Sequence, residues 1–159
     1  MYPYLVPFAY LFPEQGLAET RVITTHGYPS LPDDEYALVE YYCVDPKCDC
    51  RRVLLNVLPR RQMAKGYMAY ISFGFDRKAK FAGPFLDPVN PQSQYAQVLL
   101  DMVITLVLEA DPAYIARLEA HYRQVKQAVA APTHPVQQLL AQLAAKDKQL
   151  RRKTSARRR

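Results

Sequence analysis

The chain has 159 residues, half of them hydrophobic, with 12 Tyr and no Trp, a length that suits one domain with a sizeable core. Its formal charge of +6 is unevenly placed: residues 146–159 hold eight Lys or Arg against one Asp, which leaves residues 1–145 at net −1. No membrane span is expected, because the longest apolar stretch, Val98 to Leu108, is too short and contains Asp101; nor is a secretion signal, because MYPYLVPFAYLFP carries three Pro and no positive n-region.

Residues 1–20 read as an extended, Pro-broken segment packed onto the domain by Tyr2, Tyr4, Leu5, Phe8 and Phe12. Residues 21–26 (RVITTH) are β-branched and read as a strand. A turn-rich loop, GYPSLPDD, leads to a second strand over 35–43, where Tyr36, Leu38, Glu40 and Tyr42 share one face and Ala37, Val39, Tyr41 and Cys43 the other. The turn VDPKCDC precedes a third strand at 51–58 (RRVLLNVL). A fourth, 66–75, shows the clearest alternation in the chain: Tyr67, Ala69, Ile71, Phe73, Phe75.

The period then changes. Ser93 opens a helix to about Ala110 that is apolar nearly all round and therefore buried. Asp111 and Pro112 form a cap and first-turn pair for a helix carrying Tyr114, Ile115, Leu118, Tyr122, Val125 and Val129 on one face. PTHP ends it, and a last helix from Pro135 runs into the basic residues. The predicted fold class is α+β: a four-stranded antiparallel β-meander with C-terminal α-helices packed on one face. Residues 1–145 form a single metal-binding domain and 146–159 a basic, disordered tail.

All three cysteines fall in one run, Tyr42-Cys43-Val44-Asp45-Pro46-Lys47-Cys48-Asp49-Cys50-Arg51, with spacing C-x4-C-x-C. Soft thiolates suit zinc, a hairpin tip lets three of them converge, and closing so short a segment around an ion costs little chain entropy. An odd, clustered count is no disulfide framework and predicts a reducing, cytoplasmic setting. For the fourth ligand, His26 would complete a Cys3His set, although pairing of 21–26 with 35–43 places it beside Glu35, about 25 Å from Cys43. Asp45, Asp49, Asp76, His121 and His134 are the other candidates. Should none serve, the fourth position opens to water or substrate.

The run Glu40 to Arg52, together with Ile71-Ser72-Phe73-Gly74 and Leu86-Asp87-Pro88, resembles uncharacterised bacterial proteins that share a YCxDPxCDCRR motif. That resemblance implies no activity. Nor does a catalytic motif emerge from the residues: there is no GxGxxG, GxxxxGK or HExxH, and DPKCDC does not fit the zinc-deaminase pattern.

Two charge features bear on partners. Residues 14–49 are net −6 and 51–80 net +7, either a basic surface for phosphates or neighbouring strands that neutralise each other. Arg151, Arg152, Lys153, Arg157, Arg158 and Arg159 form a terminal arm suited to nucleic acid or another polyanion. The expected function is thus a zinc-binding, non-enzymatic interaction domain that contacts nucleic acid through its basic C-terminus, or a protein partner if not. A zinc-dependent hydrolase with an open metal site at the hairpin tip is the alternative.

Overall fold

The computed structural model of the chain describes residues 1–158. Strand β1 (Leu5–Pro7) is followed by two short helices, α1 (Phe8–Leu11) and α2 (Pro13–Glu19), then β2 (Arg21–Thr24), β3 (Glu35–Cys43), β4 (Arg52–Pro59), β5 (Ala69–Gly74) and β6 (Phe85–Leu86). Helix α3 (Ala96–Met102) continues into a π-helical segment, Val103–Leu108, before α4 (Pro112–Ala130) and α5 (Val136–Arg157). All pairings are antiparallel, in the order β1-β3-β4-β5-β6, with β2 on the same edge of β3 as β1.

The α+β class and the antiparallel sheet agree with the sequence reading, but the sheet is wider than four strands. Residues 1–20 are not simply extended. Leu5 pairs with Cys43 and Pro7 with Tyr41, then the chain turns into α1 and α2. The two helices meet so closely that a Cβ on Gly16 would lie 2.5 Å from Ala9 Cα. The basic C-terminus also departs from expectation, since α5 stays helical to Arg157. Its Ala, Gln, Leu, Lys and Arg are strong helix formers.

The alternation in β3 is kept: Tyr36, Leu38, Glu40 and Tyr42 are buried while Ala37, Val39 and Tyr41 are half-buried. On the same face as the buried set lie Val53, Leu55 and Val57 of β4 and Ala69, Ile71 and Phe73 of β5. That face carries the core, completed by Leu99 and Val103 and by Leu118 and Val125 of α4. Asp111 caps α4 as expected, its carboxylate accepting from the Tyr114 amide, and it also pairs with Arg21 of β2 at 3.0 Å. The acidic and basic segments do neutralise each other in part, through Arg60 with Glu35.

Candidate metal centre

The β3–β4 connection, residues 44–51, is held from three sides. Val44 is fully buried and its amide donates to Tyr4 O at 2.9 Å, which ties the tip to the N-terminal segment. Asp45 Oδ1 accepts from the Lys47 amide and Asp45 O from the Cys48 amide, a turn that Pro46 favours at its second position. Arg51 adopts φ 50°, which swings the chain into β4, and its carbonyl accepts from Phe75 at the end of β5. From α4, Lys126 Nζ donates to Cys48 O at 2.6 Å and Asp45 O at 3.3 Å. One turn earlier, Tyr122 accepts from the Arg51 amide and donates to Asp49 Oδ1 at 2.8 Å.

The outcome is a convergence of sulfurs. The Sγ atoms of Cys43, Cys48 and Cys50 lie within 4.8 Å of one another, Cys43 buried and the other two half-buried. Their acidities are linked. A hydrogen bond from the Cys43 thiol, helped by Cys48 and by the Arg52 amide, pulls Cys50 down to about 6. The same bond, with burial, pushes Cys43 up, and burial followed by the Cys50 charge raises Cys48. Near neutral pH one thiolate therefore sits under two S–H donors. A thiophilic dication would take the place of both protons, so the donor set fits a soft metal.

The candidate fourth ligands stand elsewhere. His26 is not brought to the cluster: it lies past the end of β2, with a side chain 96% exposed and its Nδ1 3.4 Å from Asp33 Oδ2. The antiparallel register sets that end of β3 against β2 and leaves Cys43 at the far end. His121 is buried between two carboxylates, Glu40 at 2.7 Å on Nδ1 and Glu19 on Nε2, with Phe8 stacked on its ring at 4.0 Å. His134 Nδ1 accepts from the Val136 amide. Asp76 holds its own turn through the Lys78 amide, Asp45 also accepts from Tyr2, and Asp49 from Tyr122. Among the described residues, no other His, Cys, Asp or Glu joins the three thiols.

Beside the thiols is a cavity of about 250 Å³, lined by all three cysteines and by Tyr2, Leu5, Arg52, Val53, Leu54, Ser72, Asp87, Val89 and Asn90. Its floor is the sheet face opposite the helices, where Leu54 and Ser72 are register partners. Arg52 Nε and Nη2 both donate to Ser72 Oγ, at 3.2 and 3.0 Å, and the guanidinium lies 5.4 Å from the Phe85 ring.

Arg151, Arg152, Lys153, Arg157 and Arg158 are exposed along the last turns of α5, and Arg151 pairs with Asp147 at 3.1 Å. Arg159 lies outside the described residues. Several bases of 51–80 are used within the fold: Arg60 on Glu35, Arg52 on Ser72, and Arg77 on the carbonyls of Gly74 and Gly83.

Sequence reasoning missed Tyr122 and Lys126, which brace the cysteine tip, and the Glu40–His121–Glu19 set. One signal was available: Glu40 falls in the buried phase of β3 between Leu38 and Tyr42, and an acid there requires a partner. No protein-family model, curated protein or solved structure matches the chain. Among the described residues, no helix is long and apolar enough to cross a membrane.

Proposed function

We propose that Cys43, Cys48 and Cys50 hold a zinc ion, and that the chain is a non-enzymatic interaction domain stabilised by that ion. The observation that carries this reading is the convergence of three sulfurs within 4.8 Å on a tip braced by α4 and the N-terminal segment. Zinc favours thiolate donors in a tetrahedral set, and an ion here would lock together β3, β4 and the segments packed on the tip. Elemental analysis of protein purified anaerobically is expected to give one zinc per chain in the wild type and none in Cys48→Ala. A wild type without bound metal after zinc is supplied would overturn the reading.

The partner that charge favours is nucleic acid or another polyanion, met by the exposed bases at the end of α5. At 100° per residue they spread around the helix rather than forming one stripe, which suits sequence-blind contact with phosphates. A protein partner takes that place if no polyanion binds.

The alternative is a zinc hydrolase, favoured by one observation: three protein donors beside a cavity leave a position for water. Asp87 is the acid of that lining, but its Oδ2 is occupied by the Asn90 amide and side chain at 3.0 and 2.6 Å, which makes it a poor general base.

A further inference from the structure

We propose that the fourth donor to the metal is the carboxylate of a small monocarboxylic acid, bound in the cavity between the three thiols and Arg52, an inference that rests on the metal reading above. All three cysteines line this cavity, so a ligand within it reaches an ion they hold. Arg52 lines it too, and its side chain is oriented by contacts within the fold. Ser72 takes Nε and Nη2, Phe85 lies under the guanidinium, and Nη1 rests against Gly74, where a Cβ would come within 2.9 Å of it.

Among the described residues, no carboxylate pairs with this half-buried cation. The anion set nearest it is the Cys50 sulfur, whose charge a bound ion would share, and a guanidinium so placed matches a carboxylate best. A carboxylate oxygen is also an ordinary zinc donor, so one headgroup serves metal and Arg52 together.

The remaining lining sets the rest of the ligand. Leu5, Leu54 and Val89 offer aliphatic surface, and a cavity of about 250 Å³ has room for a short tail. Asp87, held toward Asn90, places a negative charge in the same lining. It disfavours a second carboxylate, so short aliphatic monocarboxylates are selected over dicarboxylates.

Cobalt(II) substitution tests both layers separately. Thiolate-to-cobalt absorption on adding the ion establishes the metal centre; its absence refutes the metal reading before any ligand is tried. With that absorption present, acetate, propanoate and butanoate should each shift the visible cobalt bands saturably. The dissociation constant should fall about fourfold per added methylene, and succinate should bind at least tenfold more weakly than butanoate. Arg52→Gln should keep the cobalt bands and weaken butanoate about tenfold or more, with Arg52→Lys in between. Should Arg52→Gln fold poorly, Val89→Ser serves instead, because Val89 is 77% exposed and its change should weaken the dependence on tail length while sparing the fold. Cobalt bands that no monocarboxylate moves, or an affinity indifferent to tail length and to both substitutions, would overturn the proposal.

Discussion

His121 Nδ1 lies 2.7 Å from Glu40 Oε2 inside the fold, joining α4 to the central strand β3 across 81 residues of sequence. Both side chains are nearly inaccessible, at 3% and 5%. Tyr42 donates to the same Glu40 oxygen at 2.7 Å and to Leu118 O at 3.0 Å. Glu19, at the end of α2, takes the other ring nitrogen. The set therefore fastens three layers: the N-terminal helices, the sheet and α4. Removing one partner of a buried pair strands the other, which costs more than the pair itself contributes.

The pH dependence follows from the two shifted groups. Burial opposes the charge on His121, but the hydrogen bonds and charges of Glu40 and Glu19 outweigh it and hold its pKa above 6.5. That contribution is complete below 6.5 and fades as pH rises through the folded value. The bond from His121 holds Glu19 below 4.5, so its contribution is complete above 4.5 and is lost as pH falls further. His121→Ala should therefore cost most between about pH 4.5 and 6.5, on the order of 3–5 kcal/mol, and less above neutrality. Urea unfolding of both proteins at pH 5.5 and 8.5 checks this; a difference that grows with pH would contradict the arrangement.

Chelation should unfasten the cysteine tip without dissolving the sheet. The core under β3, β4 and β5 has its own apolar packing, so the apo protein stays folded but melts earlier. A drop of several degrees is expected, at about 2–4 °C per kcal/mol for a chain of this size. Cys48→Ala should match the chelated wild type and show no further response to chelator. Thermal unfolding that chelator leaves unchanged would remove the structural role from the ion.

Gly74 and Gly83 separate fold from cavity. An alanine Cβ at Gly83 would lie 2.6 Å from Ser72 O in a backbone with φ 78°, so Gly83→Ala should cost roughly 2–3 kcal/mol. At Gly74 the nearest atom is the movable end of Arg52, with Ala82 backbone at 3.3 Å. Gly74→Ala should thus cost about 1 kcal/mol, but turn the guanidinium from its place. Melting curves of the two variants should fall in that order; the reverse order would mean that Arg52 cannot give way at Gly74 or that Gly83 does not lie against Ser72.

Alternation made β3 and β5 readable, because a half-buried strand must alternate and β3 does so from Tyr36 to Tyr42, whereas β2 and β4 were legible from their β-forming residues. Strands β1 and β6 carry no such signal, being three and two residues long. They are strands only because the edges of β3 and β5 offer partners. The cysteines were legible because all three lie within eight residues of sequence. The cavity was not, because it unites Leu5, Arg52, Ser72 and Val89, which only strand register and the loop after β6 bring together. His26 stayed a candidate on ligand chemistry alone, against the length of β3, and the register of β2 on β3 keeps it at the end away from Cys43. At the C-terminus, counting charge suggested disorder, whereas helix propensity and the Asp147–Arg151 pair at i,i+4 favour continued helix.

The same C-terminus supplies the last prediction. Residues 1–145 are net −1, so strong polyanion affinity should come from 146–159. Deleting those residues should weaken binding to RNA and DNA alike and flatten its salt dependence, each lost phosphate contact removing about one unit of the slope. Base preference should be slight, since 146–159 contain no aromatic residue to stack on a base. The rival surface is the basic stretch after the cysteine tip. Arg52, Arg60 and Arg77 there are already engaged by Ser72, Glu35 and backbone carbonyls, and Arg51, Arg61, Lys78 and Lys80 remain exposed. If that surface dominates, the truncated protein keeps most of its affinity and salt slope. Filter binding of full-length and 1–145 proteins at two salt concentrations separates the outcomes. Binding by neither protein at low salt would remove nucleic acid as the partner and leave a protein in its place.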